Sequence, residues 1–479
     1  MTRPLRIFGW GALLVVGVGL GLRLAISARE WFISDDFFFL HMIQEPHWSF
    51  REALLPTRPR LIAAYRPIGL DAYFLLNYAL YGWNALGYYV SALALQGITA
   101  FMLARIALGY GLDLRVACTV SALVLLAAPS TLTSYAVAEH NYICAAAAYT
   151  TCLAALLAEL RRPRVIRRVG AYAALCLGLL SNEVCATFFA VAWLAAYLQS
   201  SADTRWLRLR ASLAVTWPYL VITGLYIDFK SSGVPMRQEN WFYEVDIGSD
   251  MLGNLLGNLA HVHGGYLTLS AVGLIAAWWV WGRARGTFAP LGRGPRAAAL
   301  VGAAWLLATS LPFAVLALPA SRFALLQLPA AALLWGVLLE AALPRVRPAI
   351  QSYALLAALI LFTPWLRMLH ALEAPRGEMF RRAHQVISRE LPASASLCVT
   401  VICDGPALAS SRACETFRSG SFGGALWRAV VPDRLLSVQF TPAAALVDEP
   451  EALDCLRYYL TPELALTREP PHLAHASAQ

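Results

Sequence analysis

Charge is what this sequence has least of. Asp, Glu, Lys and Arg supply 14% of its 479 residues, and hydrophobic residues supply 59%. A soluble chain of this length needs far more charge to cover its surface, so a water-soluble globular protein is excluded. Lysine is almost missing: Lys230 stands alone among 38 basic residues, an arginine bias that fits a GC-rich bacterial genome. The sequence has no heptad pattern, no solenoid period, no GxGxxG and no Walker loop. That removes coiled coils, repeat arrays and the familiar nucleotide-binding loops. Arg3 and Arg6 precede the first apolar run, but its end lacks a clear small-residue cleavage site, so no cleavable secretory signal is expected.

What the sequence does have is apolar length. Mean hydropathy is +0.56, which points to a polytopic membrane protein. The formal charge of +9 is then to be read by position, because basic residues collect on the cytoplasmic side; it does not argue for nucleic acid. Apolar runs lie near 6–26, 85–107, 115–135, 142–160, 212–229, 265–282, 297–318, 323–341 and 349–366. Each approaches the ~20 residues a bilayer needs. The run 169–198 is longer and is broken by Ser181-Asn182-Glu183, with basic flanks at 161–168 and 205–210. If both flanks are cytoplasmic, the run crosses twice as two helices of roughly 15 residues, with Glu183 at their outer tip. The expected fold is a polytopic all-α transmembrane bundle of about eleven spans. It places the chain in a bacterial inner membrane, with the N-terminus cytoplasmic and the C-terminus periplasmic.

The outer segments are patterned. The first, 27–84, contains the short helical stretches DDFFFLHMIQ and WSFREALL. The aromatic stretch IGLDAYFLLNYALYGW follows, interrupted by Asp71 and Asn77 and suited to the membrane interface. A second long outer loop begins at Lys230 and carries His261 and His263. Residues 1–366 read as the membrane module. Residues 367–479 are mixed and charged; SLCVTVICDG and RLLSVQF read as strands of a small extracytoplasmic α/β domain. Cys398, Cys403, Cys414 and Cys455 fall there. An oxidising compartment permits disulfides among them, but spacing does not fix the pairing.

Polar residues that are costly near hydrocarbon gather on the expected outer side: Asp35 and Asp36, Arg66, Glu139, His140 and Asn141, Glu183, and Arg322. Each has a plain alternative. Asp35 caps a helix, Arg66 snorkels to headgroups, and Glu139 and His140 open the next span. Convergence on one face is harder to explain that way.

The order of these motifs resembles the GT-C superfamily of polyprenyl-phosphate-sugar-dependent glycosyltransferases, which includes protein O-mannosyltransferases, lipid A aminoarabinose transferases and oligosaccharyl transferases. The matching features are the acidic pair Asp35-Asp36 after the first span, Tyr65-Arg66-Pro67 before an aromatic interfacial segment, Ser181-Asn182-Glu183 at the tip, and Arg322-Phe323 opening a late span. Asn182 stands where those relatives have lysine. The resemblance covers roughly 6–345 and implies an extracytoplasmic transferase using a polyprenyl-phosphate sugar.

The residue types suit that chemistry. Asp35 or Asp36 would act as general base on an acceptor hydroxyl or amine. Arg66 and Arg322 would bind the donor phosphate through their planar forks. Tyr65, Glu139, His140, Asn141 and Glu183 would support the site. Displacement in line inverts the anomeric carbon. A divalent metal is compatible with Asp35, Asp36 and the outer histidines, although no ligand spacing compels one. The expected partners are the lipid-linked donor, the bilayer and an extracytoplasmic lipid, glycan or protein acceptor. The main alternative is a transporter or a flippase for lipid-linked glycans, which predicts midplane charges and inverted repeats. Neither is legible. A scaffold subunit is a further alternative.

Overall fold

The computed structural model describes residues 3–27, 32, 35–44, 48–54, 66–127, 136–233, 251–262, 292–314, 323–342, 381–382, 384–385, 396–403, 435–442, 456–460 and 466–467. The described chain is mostly helical. Helix α1 (Arg3–Ser27) leads into the first outer loop, which is built from α2 (Asp35–Ile43), α3 (Phe50–Leu54), a π-helical segment (Pro67–Ala72) and α4 (Tyr73–Tyr81). There follow α5 (Ala85–Gly109), α6 (Leu114–Leu126), α7 (His140–Arg161), α8 (Val165–Leu179), α9 (Phe188–Gln199), α10 (Arg205–Gly233), α11 (Met251–Val262), α12 (Arg293–Ala314) and α13 (Ala324–Ala342).

Six of these helices are long and apolar enough to cross a membrane, counting α7 with the turn before it; α6 and the segment Glu183–Gln199 are apolar but shorter. The expected runs near 265–282 and 349–366 lie outside the described residues, as does the end of the run 115–135 beyond Ala127. The break in 169–198 is formed as expected. Helix α8 stops at Leu179, a 3₁₀ turn covers Glu183–Thr187, and α9 starts at Phe188.

Outward faces stay apolar. Trp10 on α1 and Trp206 and Leu225 on α10 are largely exposed; such surface is costly in water and ordinary in lipid. Inside, Tyr149 of α7 stacks on Trp305 of α12 at 5.1 Å and meets Phe188 of α9 edge-on at 5.0 Å. This aromatic centre ties three helices together. One face of the bundle carries the RRPR turn between α7 and α8, where Arg161 donates to the Gly109 carbonyl at the end of α5. On the same face, Asp113 caps α6 by accepting the Arg115 N–H at 2.8 Å. Glu183 sits at the opposite face, at the far end of α8.

In the C-terminal part, β1 (Ser396–Cys403), β2 (Leu435–Pro442), β3 (Leu456–Leu460) and β4 (Leu466–Thr467) form one sheet in the order β2-β1-β3-β4. β1 runs parallel to β2 (Val399 opposite Val438) and to β3 (Val401 opposite Tyr458), and β3–β4 is antiparallel. Both strands expected from sequence are present. The cysteine pairing expected to be open there falls on residues whose side chains lie outside the description.

Candidate active site at the helix tip

The site begins with a turn that only one residue type fits. Pro67 opens the π-helical segment, where a missing N–H costs nothing. Two residues on, Gly69 faces the tip so closely that a Cβ there would lie 2.8 Å from the Ser181 carbonyl oxygen and 2.9 Å from both Ser181 Cα and Asn141 Cβ. The Ile68 N–H donates to the Leu180 carbonyl at 3.0 Å. The first outer loop is thus seated on the α8–α9 tip, backbone to backbone.

The tip is held from within. The Asn182 carboxamide oxygen accepts the Val184 N–H at 3.1 Å and starts the 3₁₀ turn, as an Asn cap does. Its Nδ2 donates to Asn141 Oδ1 at 2.9 Å. Asn141 Nδ2 in turn donates to the Ala138 carbonyl at 2.7 Å.

Arg66 closes the arrangement. Its Nε donates to Glu183 Oε2 at 3.0 Å and its Nη2 to Oε1 at 2.8 Å; Nη1 donates to Asn141 Oδ1 at 3.3 Å. The guanidinium lies 5.4 Å from the centre of the Tyr142 ring. This is the two-pronged geometry in which arginine holds carboxylate best. Arg66 is buried, whereas the Glu183 side chain is 35% exposed. Burial pushes the Glu183 carboxyl upward. The charge and hydrogen bonds of Arg66 outweigh it, Lys230 adds to them, and the carboxyl is held well below the usual carboxylate range.

Lys230 is the residue the sequence reading passed over. It sits near the end of α10 with Nζ 3.7 Å from Glu183 Oε2. The tip triplet lacks lysine, yet the chain's one lysine arrives beside Glu183 from another helix. Its solitude in an arginine-rich sequence is the signal that was available.

Asp36 lies on the same side. It is fully buried, and its Oδ1 accepts the Ala138 N–H at 2.6 Å. It therefore anchors the 3₁₀ turn Val137–Glu139 that opens α7. Glu139 is half-buried at the end of that turn. His140 is buried, with Nδ1 2.9 Å from Tyr73 Oη. The Tyr73 hydroxyl gives its one proton to the Tyr88 carbonyl at 2.8 Å, so His140 Nδ1 is the donor and carries the hydrogen. Asn77 is absorbed locally, donating to the Tyr73 carbonyl and accepting from Ser91.

Asp36, Arg66, Asn141 and Glu183 are brought together as one polar cluster, while His140 packs against Tyr73 and Tyr89. Asp35 opens α2, but its side chain lies outside the described residues, as do Tyr65 and Arg322. Phe323, the residue after Arg322, stacks on Phe313 at 4.1 Å and meets the Tyr142 ring at 6.0 Å. That places the start of α13 beside the ring under Arg66. Trp83, in the turn between α4 and α5, packs against the His384 ring at 4.6 Å, so the chain near 384 lies at the face of the first outer loop. Burial pushes His384 down to about 4.

Among the described residues, no three His, Cys, Asp or Glu side chains converge as metal ligands. The carboxylates in the cluster are already used: both Glu183 oxygens take Arg66 N–H groups and Asp36 Oδ1 takes a backbone N–H. His263 and the His261 side chain lie outside the described residues.

No protein-family model matches the chain, and no curated protein sequence does. Solved structures do, two of them of one bacterial protein. ArnT from Cupriavidus metallidurans bound to undecaprenyl phosphate superposes with a TM-score of 0.56 at 13% identity, covering 98% of this chain and 94% of that one. The same protein in its apo state gives a TM-score of 0.54 at 14% identity over the same shares. At such identity the likeness is one of fold: the chain has the fold of ArnT.

Proposed function

We propose that this chain, built on the GT-C fold, moves a sugar from a polyprenyl-phosphate donor to an acceptor at the outer face of a bacterial inner membrane. The observation that carries the reading is the Arg66–Glu183–Asn141 cluster. Three motifs far apart in sequence meet at one end of the helices, beside Asp36 and Lys230. A transporter would place its costly charges along a path through the midplane; this cluster sits at a helix tip.

The reaction is a single displacement. The acceptor oxygen or nitrogen forms a bond to the anomeric carbon as its proton passes to a carboxylate. The bond from that carbon to the phosphate oxygen breaks, and the polyprenyl phosphate leaves with the electron pair. The anomeric centre inverts. We assign the base to Asp35, because Asp36 is committed to the Ala138 N–H and acts as a positioning residue. Arg66 also reads as a positioning residue, since Nε, Nη1 and Nη2 all donate within the protein. Two cations face one Glu183 carboxylate, and the surplus positive charge belongs to Lys230. Lys230 and Arg322 are then the cations offered to the leaving phosphate. The basic face is assigned to the cytoplasm. Residues 367–479 are assigned to the acceptor side, a placement supported by the Trp83–His384 contact.

Mass analysis of lipid-linked sugars and surface glycans, with and without the protein, tests the whole reading. Accumulation of a polyprenyl-phosphate sugar in its absence is the expected result; unchanged lipid-linked sugars and glycans would overturn it.

A further inference from the structure

The basic face carries a second built feature. Between α9, α10 and α12 lies a crevice of about 370 Å³, with Arg208, Arg293 and Arg296 around it and Tyr197, Leu198 and Leu300 among its other walls. Among the described residues, no carboxylate lines it. Arg208 is held by its Nε on the Ala202 carbonyl at 2.7 Å, and Arg293 by its Nη2 on the Ser200 carbonyl at 3.2 Å. Two of the guanidinium groups are therefore positioned by the chain itself. The neighbouring crevice between α7, α8 and α10 differs: its one cation, Arg168, is matched by Glu159 at 2.7 Å.

A second observation points the same way. Arg293 and Arg296 occupy the first turn of α12, which has no acidic residue. The N-terminus of a helix carries partial positive charge, so cations there are unfavourable and an anion is welcome. Three guanidinium groups and a helix N-terminus concentrate positive charge at one spot, above an apolar wall that continues to Leu300, itself 53% exposed on the outside of the bundle.

We infer that this crevice binds the headgroup of an anionic glycerophospholipid, with the phosphate against Arg208, Arg293 and Arg296 and an acyl chain descending along Leu198 and Leu300. Basic pockets between membrane helices on the cytoplasmic side suit such headgroups. The inference does not depend on the glycosyltransferase reading, because binding is measured without turnover.

The test is native mass spectrometry of the full chain in detergent, titrated with phosphatidylglycerol or with phosphatidylcholine of the same acyl chains. The wild type should retain one phosphatidylglycerol in preference. Arg296→Gln should weaken that preference roughly fivefold, and Arg293→Gln with Arg296→Gln roughly 25-fold, as loss of one or two basic contacts implies. Phosphatidylcholine retention should not change. If the double variant unfolds in phosphatidylcholine nanodiscs, the exposed single change at Arg296 carries the test. Equal retention of both lipids by the wild type would overturn the inference. So would an unaltered preference in the variants, or full displacement of phosphatidylglycerol by millimolar inorganic phosphate.

Discussion

Arg66 and Glu183 stand 117 positions apart in the sequence and share two parallel hydrogen bonds. One residue belongs to the loop after the first span and the other to the tip between two short helices. The pair joins these two elements, and it is where the site is most exposed to test.

Glu183→Gln should leave the buried Arg66 without its counter-charge. Breaking a fully buried pair costs about 3–5 kcal/mol, and the exposure of Glu183 reduces that here to the order of 2 kcal/mol. The expected outcome is a lower thermal midpoint with sugar transfer strongly reduced. Removing both charges together, as Arg66→Met with Glu183→Gln, should cost less stability than Glu183→Gln alone.

The same pair sets a pH dependence. The Glu183 carboxyl is held below its ordinary range, so the pair contributes fully above the unfolded carboxylate pKa of about 4.3 and is lost as pH falls below it. The stability gap between wild type and Glu183→Gln should stay constant from about pH 7 to about pH 5 and shrink in more acidic buffer. A gap that closes already above about pH 5 would show that Arg66 does not hold the carboxyl down.

The acidic pair should divide by role. Asp35→Asn should lower transfer by about 10²–10⁴-fold, the usual worth of a general base, with membrane insertion intact. Asp36→Asn keeps an oxygen for the Ala138 N–H and should cost less. The measurement is transfer from purified lipid-linked donor. Near-normal rates in both variants would leave the pair structural.

Lys230→Met should weaken donor use roughly tenfold, as loss of one charge-assisted contact would. Lys230→Arg should recover most of it. The effect belongs in the donor KM, with the thermal midpoint little changed. An effect on stability alone would make Lys230 a brace for Glu183.

Gly69→Ala tests the seat of the loop. A Cβ 2.8 Å from a backbone oxygen has no flexible neighbour to push aside, and such overpacking costs about 1–3 kcal/mol. A thermal midpoint equal to wild type would show that the loop is not fixed to the tip.

Much of this arrangement was legible in the sequence, for identifiable reasons. Ser181-Asn182-Glu183 interrupts an apolar run between two basic flanks, so its break follows from membrane length and charge alone. The short helices of the first outer loop follow from their apolar and aromatic patterning. The partners were not legible. Nothing local says that Arg66 meets Glu183, that His140 donates a hydrogen bond from Nδ1 to Tyr73, or that Lys230 returns to the tip from the end of α10. Those contacts are decided by helix packing over separations that no periodicity encodes. Asp36 shows the intermediate case. It read as a candidate base, and the bond to Ala138 assigns it a backbone N–H in another element, which that reading did not contain.

The lone lysine also gives the site a chemical address. Lys230 carries the one side-chain amine in this sequence, so an amine-selective reagent reports on the neighbourhood of Glu183 with no competing side chain. Donor analogues or acceptors that occupy the site should shield it from acylation. A protease specific for lysine has one side-chain amine to recognise and cuts after residue 230, separating Arg66 and Glu183 on one fragment from Phe323 and the C-terminal sheet on the other. Occupancy, topology and domain division can then be followed on the unaltered chain by a single modification and a single cut.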